Sequence, residues 1–309
     1  MKNYADRLIA AIKEKGNPCV VGLDPRLDSM PDFVVASHSA EPRAEAVRSA
    51  ITTFNRIIIE AVSPHVPAVK LQAAFYEQYG LPGLHALEES IGIAKEHGLV
   101  VIVDAKRNDI SSTAEAYANA YLGRSAVFGS RQPVFDVDCI TVSPFLGGDS
   151  LKPFIDACSE YGKGIFILVK TSNPGSVDLQ NQLLSRTGEP LYKELARLVD
   201  GYGEGVVGES GYSSVGAVVG ATFPEEAKEL RKIMPRTIFL VPGFGAQGGT
   251  GRSAAACFNA DGLGAVVSAS RSITYPHRSA DITRGAFAEL VGLKVKEMVG
   301  EVRGALLEL

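Results

Sequence analysis

Eight short apolar or β-branched runs, separated by stretches of helical periodicity, most limit the folds open to this chain. They lie at 19–23, 68–71, 99–104, 139–142, 164–170, 215–219, 238–241 and 265–268. Helical patterns fill most intervals, at 44–62, 84–97, 112–121, 190–200, 224–233 and 253–259, with a last one at 286–307. Such alternation suggests βα units and a parallel sheet rather than an all-α or sandwich fold. Closed barrels of this type take about 250 residues, and this chain has 309, so the expected fold is α/β, a (β/α)8 TIM barrel. An open doubly wound sheet is the second choice. No linker or composition break divides the sequence. A single barrel domain over 1–309 is therefore expected, with an N-terminal helix and a long insertion around 171–214.

Composition narrows the function. The chain is 46% hydrophobic, yet no segment approaches the ~20 apolar residues of a membrane span, so no membrane partner is expected. A net charge of −4 without a long Lys/Arg run argues against nucleic acid as a partner. A small anion needs only a local positive site. Charges scattered through 1–16 give no apolar core of the signal-peptide kind. Cys19, Cys139, Cys158 and Cys257 are far apart and never reach CxxC spacing. Reduced thiols and a cytoplasmic location are the expectation. The five histidines, His38, His65, His85, His97 and His277, do not cluster, and no metal site is expected.

The third run ends in Asp104, Lys106 and Asp109, a DxKxxD cluster that folding alone does not require. In an extended strand, i and i+2 face the same way, so Asp104 and Lys106 should project together, with Asp109 in the following loop. Barrels carry their chemistry at the carboxyl ends of the strands. There lie Asp24 after the first run, Lys70 in the second, Ser143 after the fourth and Thr171-Ser172-Asn173 after the fifth. After the seventh run comes the glycine-rich segment 242–249, and after the eighth Ser268-Ala269-Ser270-Arg271-Ser272. Loops in these two places commonly hold phosphate, through backbone N–H groups and the positive end of a short helix. Arg271 adds a bidentate clamp.

With these residues in view, VxLDP at 21–25, AVKLQAAFYE at 68–77, DAKRNDI at 104–110 and PGFGAQGG at 242–249 together resemble the orotidine 5′-phosphate decarboxylase family. The resemblance spans nearly the whole chain. AFYExxG, the DAKR signature and TSNPG at 171–175 resemble its longer bacterial branch. Asn108 stands where that branch usually has glycine and Ser143 where it usually has asparagine, and neither change removes a catalytic charge.

The resemblance implies loss of carbon dioxide from C6 of orotidine 5′-monophosphate, with no metal and no organic cofactor. It implies an alternating array of Lys70, Asp104, Lys106 and Asp109 in which Lys106 is cation and proton donor. Asp109 would reach the opposite site of a homodimer with shared active sites, and Thr113 would lie beside it. Asp24 and Lys70 would bind ribose hydroxyls, and Ser143 would approach the pyrimidine. Pro242, Gln247, Ser270 through its backbone, and Arg271 would hold the phosphate end. Physical logic agrees, because Asp104 favours a charged Lys106 while Lys70 keeps the acids ionised. Lys170, though it ends a strand, receives no catalytic role. Two alternatives stand beside this reading. One is a magnesium-dependent sugar-phosphate decarboxylase or synthase of the same superfamily, which typically has an acid where this chain has Lys70. The other is a non-catalytic UMP-binding barrel.

Overall fold

The computed structural model describes residues 2–245, 248–277 and 279–309. The eight expected runs are strands: β1 (Cys19–Leu23), β2 (Ala68–Gln72), β3 (Val100–Arg107), β4 (Cys139–Val142), β5 (Gly164–Lys170), β6 (Ser213–Val219), β7 (Thr237–Val241) and β8 (Ala265–Ala269). Each pairs in parallel with the next, and β8 pairs with β1 to close a (β/α)8 barrel.

The strand period of two sorts the side chains into layers. Val20, Ala68, Val100 and Ile102 fill the barrel interior, while Val21, Val69, Val101 and Val103 pack outward under the helices. Continued toward the carboxyl end, the inward parity of β2 reaches Lys70 and that of β3 reaches Asp104. Both charges arrive at the mouth because the inward apolar residues before them, Ala68 in β2 and Val100 and Ile102 in β3, hold the register.

The amino end of the barrel is plugged by the helix Tyr4–Lys15, which Asn3 caps by accepting from the Ala5 N–H at 2.8 Å. Leu8, Ile9 and Ile12 join the interior cluster, and Tyr4 meets Phe166 edge to face at 6.4 Å. Gly164 is required there, since a Cβ would stand 2.1 Å from the Tyr4 ring. Arg231 ties the loops entering β7 and β8 by donating to the carbonyls of Cys257, Met234, Thr237 and Gly264. Burial pulls its guanidinium down to about 10.

Three features depart from the sequence expectation. A helix at Gly148–Tyr161 fills the interval between β4 and β5, where Gly147-Gly148 and Pro153 break the helical pattern. A small antiparallel hairpin pairs Ser125–Val127 with Ser130–Gln132, too short to carry a periodic signal. β3 runs to Arg107 rather than 104, with consequences for Lys106. Between β5 and β6 the chain forms a 3-10 turn at Pro174–Asp178, a bridge between Leu183 and Pro190, and the outer helix Leu191–Gly203. All four cysteines are free and buried, and burial pushes the Cys19 and Cys257 thiols up to about 12. Among the described residues no helix is long and apolar enough to cross a membrane.

Candidate active site

The strand ends enclose a cavity of about 360 Å³ at the carboxyl face. Asp24, Lys70, Asp104, Lys106, Pro242, Ser270 and Arg271, all singled out from sequence, line it together.

Asp104 is its electrostatic centre. One oxygen receives Lys106 Nζ at 2.7 Å and Thr141 Oγ1 at 2.8 Å, and the other receives Lys70 Nζ at 3.2 Å and Gln72 Nε2 at 3.0 Å. Burial works to raise its carboxyl, but Lys70 and Lys106 outweigh it and hold the group well below the usual carboxylate range. For Lys70, burial opposes the charge, while Asp104 and Asp24 overcome that and raise its ammonium above the ordinary value. The pair is mutually dependent. Neither charge would survive burial alone.

Lys106 does not sit on a regular pleat. Between the pairs Val103–Ile140 and Arg107–Val142, four steps along β3 match two along β4, a bulge. Within it Lys106 has φ 48°, and its N–H donates to Thr141 Oγ1 at 2.9 Å. Asp104 and Lys106 therefore meet because the strand is bulged, not because i and i+2 share a face. A left-handed lysine costs free energy that the surrounding hydrogen bonds must offset. The outcome is an ammonium whose side chain is 46% exposed and opens into the cavity.

The opposite wall carries the anion-binding features. Gly243 (φ 97°) and Gly245 (φ 71°) permit a turn that side chains would strain. The N–H groups of Gly245, Gly248 and Gly249 are bonded within that loop, so its glycines shape the wall rather than offer those donors. The donors left over stand beside it, after β8. Arg271 opens a short helix at Arg271–Thr274 whose first N–H groups have no intrahelical acceptor. Ser270 Oγ and Asp24 Oδ1 are both buried with no hydrogen-bond partner among the described residues. Buried polar atoms in that condition at a cavity wall suit a polar ligand.

Three expected residues lie outside the cavity lining. Asp109 accepts from the N–H of Ile110 at 2.8 Å, Thr113 is exposed on the helix Ser111–Tyr121, and Ser143 Oγ accepts a long contact of 3.5 Å from the Phe145 N–H. Gln247 lies outside the described residues. Sequence reasoning passed over Gln72, which follows Lys70 by the same two-residue step, and Arg26, which lies over the Phe75 ring at 4.8 Å. Thr171, Ser172 and Asn173 also line the cavity. Among the described residues no cluster of three or more His, Cys, Asp or Glu is placed to hold a metal ion.

The geometry supplies two opposed functions within one pocket: a paired, half-exposed ammonium at one wall and unpaired donors for an anion at another. The family profile described as orotidine 5′-phosphate decarboxylase / HUMPS family matches residues 21–279. An orotidine 5′-phosphate decarboxylase of Rhodopirellula baltica is 49% identical over 286 residues, covering 93% of each chain. One from Caldicellulosiruptor bescii is 40% identical over 304 residues, 97% of this chain and 98% of the relative. The solved structure of Leishmania donovani OMP decarboxylase is 31% identical and superposes with a TM-score of 0.73 over 99% of each chain.

Proposed function

This chain belongs to the orotidine 5′-phosphate decarboxylase / HUMPS family, and we propose that Lys106 supplies both charge and proton as it converts orotidine 5′-monophosphate to UMP. It is a carboxy-lyase of pyrimidine nucleotide synthesis. The observation that carries the mechanism is Lys106 Nζ held 2.7 Å from a carboxylate that is itself held by Lys70.

The electron pair left at C6 occupies an sp² orbital in the ring plane, out of reach of the π system. Stabilisation must therefore come from a fixed charge beside C6. Lys106 meets that need, and as carbon dioxide leaves it delivers a proton to C6, leaving a neutral amine that solvent reprotonates. Asp104 contributes in the ground state. Two unit negative charges ~4 Å apart repel by about 4 kcal/mol at an effective dielectric of about 20, and that repulsion vanishes with the carboxylate. Enzymes lower barriers by ~8–23 kcal/mol, so the larger share falls to the cation. No metal or organic cofactor is needed in this scheme. A magnesium-bound enediolate would require a divalent ion to compete with two lysines for Asp104, which disfavours that alternative.

Asp24 and Lys70 take the ribose hydroxyls, and Arg271, the backbone at Ser270, Pro242 and, by the resemblance, Gln247 take the phosphate end. Phosphate binding far from C6 can hold the ring in position for reaction. The resemblance alone assigns Ser143 to the pyrimidine, since the residue lies outside the cavity lining. The chain works as one barrel unit and as a homodimer: the partner subunit's Asp109 and the partner subunit's Thr113 complete each site, in keeping with their position outside their own cavity. Exposed Ile110, Phe145 and Leu146 beside these segments support such an interface. Buried free thiols support a cytoplasmic location.

A metal-free absorbance assay on orotidine 5′-monophosphate tests the scheme. Native protein should consume substrate with EDTA present, and Lys106→Ala should lose at least about a thousandfold in kcat. Retained activity in that variant refutes the role of Lys106. Mixed Lys106→Ala and Asp109→Ala chains should regain part of the activity through one intact site per dimer, and no regain after proven subunit exchange refutes the shared site.

A further inference from the structure

A chain of hydrogen bonds that begins outside the cavity holds the wall formed by 171–173, and from it we infer that Gln180 is a positioning residue for recognition of the substrate ring. The inference rests on the proposed reading of the site. Gln180 Oε1 accepts from the backbone N–H of Thr171 at 3.0 Å, and its Nε2 donates to Thr171 Oγ1 at 2.9 Å. A backbone N–H can only donate, so it fixes which end of the Gln180 amide faces which atom. Having accepted from Gln180, the Thr171 hydroxyl donates to Asn173 Oδ1 at 2.7 Å. With one lone pair of its oxygen so engaged, Asn173 keeps both amide N–H donors without a partner among the described residues.

The segment bearing Gln180 is gripped a second time at the next residue. Asn181 Oδ1 accepts from Lys170 Nζ. That ammonium is 1% exposed, lies over the rings of Tyr192 and Phe223 at 5.3 and 4.7 Å, and stands 3.4 Å from Glu226. Residues 170 and 171 thus clasp 181 and 180 in turn. Behind the wall there is no slack, since a Cβ on Gly220 would come within 2.9 Å of Ser172 Cα. Thr171, Ser172 and Asn173 line the cavity and Gln180 does not.

Barrel order indicates what the wall faces. β5 is the fifth of eight strands and so stands opposite β1. With the ribose at Asp24 and Lys70, ring atom N1 points toward β1 and β2, and C4, across the ring from N1, points toward β5. The 4-carbonyl is an acceptor and matches a wall that presents donors. The 4-amino group of a cytosine nucleotide does not. Gln180 therefore sets the discrimination between the two through Thr171, without touching the ligand.

The test measures kcat and KM for orotidine 5′-monophosphate, and the Kd ratio of CMP to UMP, in Gln180→Ala, Gln180→Glu, Thr171→Val and Thr171→Ser. Native protein should bind UMP in clear preference to CMP. Gln180→Ala and Thr171→Val should raise KM and lower that preference, each by about tenfold, with saturated kcat within about threefold of native. Gln180→Glu keeps the acceptor but loses the donor and should fall between, while Thr171→Ser should retain native values. Both ligands titrate the same sample, so the ratio is insensitive to any unfolded fraction. An unchanged ratio in Gln180→Ala and Thr171→Val, or a loss in kcat with KM unchanged, overturns the inference. Native protein that fails to turn over the substrate would instead overturn the proposed function.

Discussion

Two aspartates in this molecule are each bridged by two lysines, at opposite ends of the barrel. At the carboxyl end Asp104 joins Lys70 and Lys106, and at the amino end Asp136 joins Lys95 and Lys163, both at 2.7 Å. Each cluster contains a left-handed residue, Lys106 and Asp136, both with φ 48°. Both carboxyls are held below the ordinary value, against burial and by their lysines. Neither composition nor backbone strain separates them.

What separates them is the use of the lysine donors. Lys95 and Lys163 also turn to the main-chain carbonyl of Asp136, so both cations help close the loop entering β4. Asp136 itself is 44% exposed, whereas the Asp104 side chain is 13% exposed. Lys106 has Asp104 as its one charged partner among the described residues and opens into the cavity. The lower cluster is a completed structural tie. The upper one keeps a cation available for a charge that develops during reaction.

The comparison breaks most visibly at the lysines. Lys163→Ala should leave kcat within about twofold and lower stability by about 0–1 kcal/mol, since the Asp136 it leaves behind is half-exposed and keeps Lys95. Read beside the thousandfold loss expected of Lys106→Ala, comparable losses of kcat in the two variants would erase the distinction. The aspartates give the next largest effect. Asp104→Asn leaves the buried Lys70 ammonium without its nearest counter-charge and should destabilise by about 3–5 kcal/mol, besides abolishing turnover. Asp136→Asn, in a half-exposed and screened pair, should cost about 0–1 kcal/mol. Chemical denaturation of the two variants measures both.

The smallest effect is in pH dependence. A depressed carboxyl contributes stability that is complete above the unfolded value of about 3.9 and is lost as pH falls toward the folded value. Both aspartates share that sign, with Asp104 the larger. At the alkaline side the raised ammonium of Lys70 contributes fully below about 10.4 and is lost as pH rises through its folded value. Unfolding free energies of native protein and Asp104→Asn should therefore converge at both extremes of pH. Parallel curves would show that the buried pair adds no pH-linked stability.

Much of this was legible in the sequence because it is written in short periods. Eight apolar runs announced eight strands, and the two-residue step that placed Val100 and Ile102 inward also placed Asp104. Lys70 follows from Ala68 in the same way, and Gln72 could have been read by one further step. The bulge at Lys106 was not legible, since it depends on β4 pairing with β3 and on Thr141 receiving the displaced N–H. Gln180 was hidden for a related reason. Its partner Thr171 is brought to it by an irregular loop that carries no periodicity. Gly148–Tyr161 went unread because glycine and proline weigh against a helix locally, while packing of Leu151, Phe154 and Cys158 into the core decides for it.

The central claim is that Lys106 stabilises negative charge at C6, and exchange of the C6 hydrogen of UMP measures this without carbon dioxide in the balance. In D2O, proton NMR of UMP with native protein should show the C6 signal fading as deuterium replaces it through the same carbanion. Lys106→Ala, at concentrations where UMP binding is demonstrated, should leave the signal intact. Exchange at the native rate in that variant would contradict the account.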